Sequence, residues 1–198
     1  MLDTHARNIV QPALDGIARL CLRLGLSANT LTVLGMLSGV AAAVITGFGH
    51  PLAGVAVLWL SGLLDAADGT LARMTQPSPL GAILDITFDR VVEVAMIVAL
   101  AWQFPEARLV LLVLTGVIVI AMSLFLSIGA AIANRSVKSF HYAPGLGERT
   151  EAFILLSLMA LDSGRLVFWA CVFIAVMAVT MAQRLVHARA ALTGTDAR

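Results

Sequence analysis

Asp65-Ala-Ala-Asp-Gly-Thr-Leu-Ala-Arg73, followed by Gly81-Ala-Ile-Leu-Asp-Ile-Thr-Phe-Asp89, decides how the rest of the chain is read. Both segments lie in, or at the ends of, runs that otherwise read as membrane helices. A carboxylate facing hydrocarbon costs about 3 kcal/mol on insertion scales. Four of them between positions 65 and 89 need a shared reason. At about 100° per residue, Asp65, Asp68, Gly69 and Ala72 fall within an arc of about 100° on one helix. Gly81, Asp85 and Asp89 line one face of the next helix in the same way. Two antiparallel helices can therefore aim four carboxylates at one point, with small residues leaving room for a ligand. Facing carboxylates repel unless they are protonated or bridged by cations. Oxygen-only ligands favour hard cations such as Mg²⁺, Mn²⁺ or Ca²⁺.

The surroundings are those of a membrane. Of the 198 residues 60% are hydrophobic and 13% charged, and the mean hydropathy is +0.94. This excess of apolar sequence predicts an integral membrane protein. A net charge of +1 argues against nucleic acid as a partner. The polar stretches are too short for a separate soluble domain, so residues 1–198 read as one membrane domain. Cys21 and Cys171 both sit in apolar surroundings and read as packing residues. Asp3, His5, Arg7 and Asn8 are too polar for a cleavable signal peptide.

Residues 3–24 alternate apolar positions (Ile9, Leu14, Ile17, Cys21) with Arg7, Asp15, Arg19 and Arg23, as in an amphipathic helix lying in the membrane interface. Gly25 to Asn29 breaks it, and Ser27 or Asn29 can cap the next helix. Six spans are then expected, at 30–48, 52–73, 80–103, 107–133, 148–161 and 165–187, the fifth of them short. The fold class is all-α, a polytopic membrane protein. Gly35, Gly39 and Ala43 recur every fourth residue on the first span, a face for close helix packing. Turns are expected at Gly47–Pro51, Met74–Pro79, Phe104–Glu106 and Asp162–Gly164, and the longest polar loop runs from Asn134 to Gly147. With the N-terminus inside, Arg7, Arg19, Arg23, Arg73, Arg90, Arg135, Lys138, Arg149, Arg184, Arg189 and Arg198 fall on or near the cytoplasmic side. Only Arg108 and Arg165 fall outside. This asymmetry predicts a cell-membrane protein whose N-terminus and acidic site face the cytoplasm.

The pattern Asp65-x2-Asp68-Gly69-x2-Ala72-Arg73 … Gly81-x3-Asp85-x3-Asp89 resembles the signature of the CDP-alcohol phosphotransferases, membrane enzymes of phospholipid synthesis. The resemblance extends to the N-terminal interfacial helix, the six spans and the Asn29-Thr-Leu-Thr32 start of the first span. The spacer between Arg73 and Gly81 is one residue shorter than is usual in the family, which implies a tighter turn. Ala28 stands where a proline is common. The family transfers a substituted phosphate from a CDP-linked lipid or alcohol to a hydroxyl and releases CMP. Carried over, Asp65, Asp68 and Asp85 are metal ligands, and Asp89 is a ligand and the general base. Asp68, Gly69, Ala72, Arg73 and Gly81 form the CDP pocket. Two Mg²⁺ or Mn²⁺ ions, CDP-diacylglycerol as donor and a homodimer are implied with them. Elementary chemistry agrees. Attack on a pyrophosphate needs its charge neutralised and the reactants held in line, and the acceptor hydroxyl must lose a proton.

Glu148-Arg149-Thr150-Glu151 resembles a segment of family members that use phosphorylated polyols. Arg149, with Lys138 and Arg135, can bind an anionic acceptor. The same residues also serve as a positive-inside loop and a helix start. Glycerol 3-phosphate or an inositol phosphate is therefore the favoured acceptor. Phosphatidylglycerol, serine and an amino-alcohol stay open. Glu93, one turn deeper than Asp89, reads as a structural residue paired with Arg90 or with a neighbouring helix, and Arg90 itself points away from the aspartate face. A divalent-cation transporter would also place acidic groups in the membrane. No acidic trail, however, continues to the opposite side.

Overall fold

The small-residue face of the first span is the seam of the fold. The structure is a computed structural model and describes residues 2–133 and 149–193. These form α1 (Leu2–Arg23), α2 (Ala28–Gly47), α3 (Pro51–Met74), α4 (Pro79–Gln103), α5 (Arg108–Ala133), α6 (Arg149–Leu161) and α7 (Leu166–Thr193), with single 3-10 turns at Pro105–Ala107 and Ser163–Arg165. No strand occurs among the described residues. The loop expected after Ala133, with Arg135 and Lys138, lies outside them. The segments expected as spans are helical to within a few residues of their expected ends, except that α7 continues past 187 through an alanine-rich segment of high helix propensity.

Local chemistry sets the boundaries. Ser27 caps α2, its Oγ accepting from Thr30 N at 3.2 Å. Ser78 caps α4 from Gly81 N at 2.9 Å, with Pro79 at the first helical position. That position suits proline, because its missing N–H would have had no partner there anyway. Gly49 turns the chain between α2 and α3 at φ +87°, a conformation that costs glycine little.

Helix α2 packs along both α3 and α4, whereas α3 and α4 touch each other little. Gly35, Gly39 and Ala43 are buried in this seam. A Cβ on Gly39 would collide with Val92 of α4 and stand 2.9 Å from Ser61 Oγ of α3. Ser61 Oγ donates to Gly35 O at 2.7 Å, tying α3 to α2. Gly54 answers from α3: a Cβ there would collide with Thr46 Oγ1 and lie 2.9 Å from Ala42 O. A backbone carbonyl cannot step aside as a side chain can. Gly54→Ala is therefore expected to destabilise the α2–α3 pair by about 1–3 kcal/mol, read as a lower melting midpoint of the purified protein in detergent. An unchanged midpoint would show that the seam is looser than this.

The main apolar core joins Met96 and Leu100 of α4, Leu114 and Ile118 of α5, Leu156 and Met159 of α6, and Phe173 of α7. A smaller cluster seats Leu14, Ala18 and Cys21 of α1 against Leu31, Ala67 and Leu71, while Arg19 and Arg23 are exposed. Cys21 is thus a packing residue, as expected. Cys171 is exposed on α7, and the packing reading fails for it. Large apolar side chains such as Leu109, Leu112 and Ile120 cover the outside. Among the described residues α2, α3, Pro105–Ile132 and Ser163–Leu192 are long and apolar enough to cross a membrane. Helix α4 carries Asp85, Asp89, Arg90 and Glu93, and α6 has only 13 residues. This is a multi-pass membrane architecture.

Candidate active site

Because α2 holds α3 and α4 apart, the end of α3 and the start of α4 face each other across a gap. Asp65 and Asp68 come from the last three turns of α3, and Asp85 from the second turn of α4. One carboxylate oxygen from each of the three lies within 4.8 Å of the others. Metal–oxygen bonds of about 2.0–2.6 Å place opposed ligand atoms about 4–5 Å apart, so a single hard cation fits this set. Asp68 is 5% exposed, and its Oδ2 has no hydrogen-bond partner among the described residues. An ionised oxygen left in that position is costly unless a cation meets it.

Asp89 stands outside this trio. Its Oδ1 is 2.9 Å from Arg149 Nη1, and the same nitrogen contacts Asp65 Oδ2. Arg149 opens α6, more than 80 positions from Asp65 in sequence, and its guanidinium also lies 5.3 Å from the centre of the Phe153 ring. The first residue of α6 thus bridges the two acidic helices.

These groups line a cavity of about 280 Å³. Asp65, Asp85, Asp89 and Glu93 contribute carboxylates, and Arg90, Arg149 and Arg184 contribute guanidinium groups. Arg184, from α7, stacks 4.8 Å over the Phe125 ring of α5. Sequence reading placed Arg184 only as a topology residue, since nothing within its own helix points to a site. Arg90 needs a correction. Helical spacing turns it from the aspartate face, yet its long side chain reaches the cavity wall and binds Glu93 Oε1 at 2.7 Å. The Arg90–Glu93 pairing itself is one of the two expected.

The expected nucleotide-binding residues lie on the last turns of α3 and the first turn of α4. Gly69 is open, a Cβ there meeting only Arg73 Nη1 at 3.4 Å. Arg73 is exposed, and its Nη2 donates to Thr70 Oγ1 at 2.9 Å. Ala72 is half-buried beside it. Gly81 is approached by Asn29 from the start of α2, whose Oδ1 would lie 3.2 Å from a Cβ. The Asn29 segment and the second acidic helix therefore meet at Gly81.

The sequence model of the CDP-alcohol phosphatidyltransferases matches residues 26–182, from the cap of α2 to within α7. The chain belongs to the CDP-alcohol phosphatidyltransferase family. It is a transferase of that family. One curated relative is the inner membrane protein YnjF of Escherichia coli K12, 31% identical over 172 residues, covering 80% of this chain and 81% of that protein. Another is a phosphatidylinositol phosphate synthase of Corynebacterium glutamicum, 31% identical, covering 78% and 72%. A third is an archaetidylinositol phosphate synthase of Methanothermobacter thermautotrophicus, 30% identical, covering 76% and 72%. Among solved structures, the Mycobacterium tuberculosis phosphatidylinositol phosphate synthase with CDP-DAG bound superposes with a TM-score of 0.70 at 26% identity, over 88% of this chain and 92% of that one. The same protein in complex with manganese and citrate gives 0.69 at 26% identity, over 88% of each chain.

Proposed function

We propose that this phosphatidyltransferase moves a phosphatidyl group from CDP-diacylglycerol to a hydroxyl of a small phosphorylated acceptor, an inositol phosphate or glycerol 3-phosphate, and releases CMP. The observation that carries the acceptor class is the cavity beside the aspartates, where guanidinium groups of α4, α6 and α7 meet the carboxylates. A protonated amino-alcohol brings no anion to these guanidinium groups, and serine brings a single carboxylate offset by its own ammonium group, whereas a phosphate dianion can exchange with the carboxylates that Arg149 now meets. Relatives named as phosphatidylinositol phosphate and archaetidylinositol phosphate synthases support the same class.

Asp65, Asp68 and Asp85 hold the divalent cation, Mg²⁺ or Mn²⁺, with Asp89 able to join a second ion. A cation held there would supply charge neutralisation for the pyrophosphate and the departing CMP phosphate. Gly69 and Gly81 let the nucleotide approach the backbone, Ala72 leaves it room, and Arg73 contacts a phosphate with its fork of donors. Asp89 accepts the proton of the acceptor hydroxyl, whose oxygen bonds to the lipid phosphorus as the bond to CMP breaks. Arg149 and Arg184, with Lys138 and Arg135, hold the acceptor's phosphate. The reading includes six spans with α4 and α6 among them, α1 in the interface, one domain over the chain, the site and N-terminus facing the cytoplasm, and a homodimer.

Purified protein given CDP-diacylglycerol and a panel of acceptors tests the assignment through CMP release. A phosphorylated polyol should be consumed, and serine and amino-alcohols ignored. Turnover of serine alone would overturn it. Arg184→Ala is expected to raise the acceptor KM roughly ten- to hundredfold, one charge-assisted hydrogen bond, and to leave the CDP-diacylglycerol KM unchanged. Arg149→Ala should lower kcat as well, since Arg149 also touches Asp65 and Asp89. Steady-state kinetics with each substrate varied in turn reads both.

A further inference from the structure

Glu93 is the cavity group that the proposed reaction leaves unused. It lies on α4 one turn beyond Asp89, it is 1% exposed, and it lines the same cavity as Asp89, Arg149 and Arg184. Its Oε1 is bound by Arg90 at 2.7 Å. Its Oε2 is buried with no hydrogen-bond partner among the described residues. The pairing with Arg90 fixes the carboxylate in place, so one oxygen is held still while the other keeps its accepting capacity. A buried acceptor left unsatisfied is destabilising. Its place on the wall of a substrate-sized cavity suggests that a ligand supplies the missing donor.

We propose that Glu93 is a specificity-determining residue for the acceptor, its Oε2 taking a hydrogen bond from a hydroxyl of a polyol phosphate other than the one that reacts. This rests on the phosphorylated-acceptor reading. The reacting hydroxyl faces Asp89, and the phosphate is held by the arginines of α6 and α7. A second hydroxyl then falls to the remaining carboxylate, one helical turn (about 5.4 Å) along α4. That distance is comparable to the span of a small polyol. A site built around a buried acceptor rejects the analogue that lacks the donor, because the acceptor then stays unpaired in the complex.

The test is a cycle between protein and acceptor. Wild-type protein and Glu93→Gln, which keeps an oxygen for Arg90, are each assayed with a polyol phosphate and with its series of single-deoxy analogues. Wild type should lose roughly ten- to hundredfold in kcat/KM with one particular deoxy analogue, the range for a hydrogen bond to a charged group. Glu93→Gln turns its amide N–H₂ to that hydroxyl and keeps only a neutral bond, so it should lose part of that factor with the full acceptor and little more with that analogue. The CDP-diacylglycerol KM and the Mn²⁺ dependence should not change. Additive losses across the cycle, or a loss in kcat shared by every acceptor, would overturn the proposal and leave Glu93 as scaffolding for Asp89. Should the glutamine variant melt well below wild type, Glu93→Met is used, with the deoxy series on wild type as the second arm; there, equal tolerance of every deoxy analogue overturns the proposal. Wild-type protein that turns over no phosphorylated polyol at all would instead reject the acceptor class on which the proposal stands.

Discussion

Asp89→Asn is expected to lower kcat by about 10²–10⁴-fold at saturating Mn²⁺, the range for removing a general base. Asparagine keeps the shape and can still meet Arg149, but it cannot take a proton. The comparison that gives this meaning is Asp85→Asn. Asp85 belongs to the trio whose oxygens lie within 4.8 Å of one another, so its loss weakens cation binding, and added Mn²⁺ should recover part of the rate. Asp89 stands apart from that trio and bonds Arg149 at 2.9 Å. Its variant should therefore stay slow however much metal is supplied. Equal rescue of both variants by metal would remove Asp89 from the role of base.

Excess chelator is expected to abolish turnover, and Mg²⁺ or Mn²⁺ to restore it. The trio offers only oxygen donors, and Asp68 Oδ2 has no partner among the described residues. Without a cation the carboxylates repel one another and the phosphates of the donor alike. A second readout does not depend on catalysis. An ion that binds only the folded state stabilises it by about 2.7 kcal/mol at one hundred times its dissociation constant. The melting midpoint should therefore climb with Mn²⁺, and the climb should shrink in Asp68→Asn. Full turnover in excess chelator, with a midpoint indifferent to metal, would refute a cation-dependent site.

What the sequence made legible is what short-range rules govern. The cap at Ser27, one of the two residues expected for it, the glycine seam of α2, the turns and the two aspartate pairs follow from spacing and from the special chemistry of serine, proline and glycine. The aspartate periodicity foretold four carboxylates at one point; Asp65, Asp68 and Asp85 do converge, whereas Asp89 meets Asp65 only through Arg149. Periodicity could not foretell that α2 would stand between α3 and α4, since which helix packs on which is a matter of complementary surfaces far apart in the chain. For the same reason Arg149 was legible as a cation near the site and not as a bridge between Asp65 and Asp89. Arg184 was legible only as a charge near a membrane edge. Arg90 misled because helical angle describes where a Cβ leaves the helix, and a side chain of arginine's length can return to a neighbouring face. Cys171 misled because an apolar neighbourhood in a membrane helix is as often lipid as protein.

The shortness of α6 has a consequence for depth. The turn after Leu161 is polar, with Asp162 bound to Arg165 at 3.0 Å and Arg165 72% exposed; with α6 as a span, as proposed, it would mark one face of the bilayer. From there 13 residues lead back to Arg149. At 1.5 Å each they climb about 20 Å, against a hydrocarbon layer about 30 Å thick. A helix running straight across therefore stops well short of the opposite face. On the proposed six-span reading Arg149, and with it the chamber it helps to wall, would then lie sunk below the lipid headgroups. A diacyl donor could slide in sideways without leaving its leaflet, and a soluble acceptor could descend from above. Two substrates that share no solvent meet at a floor that belongs to neither phase.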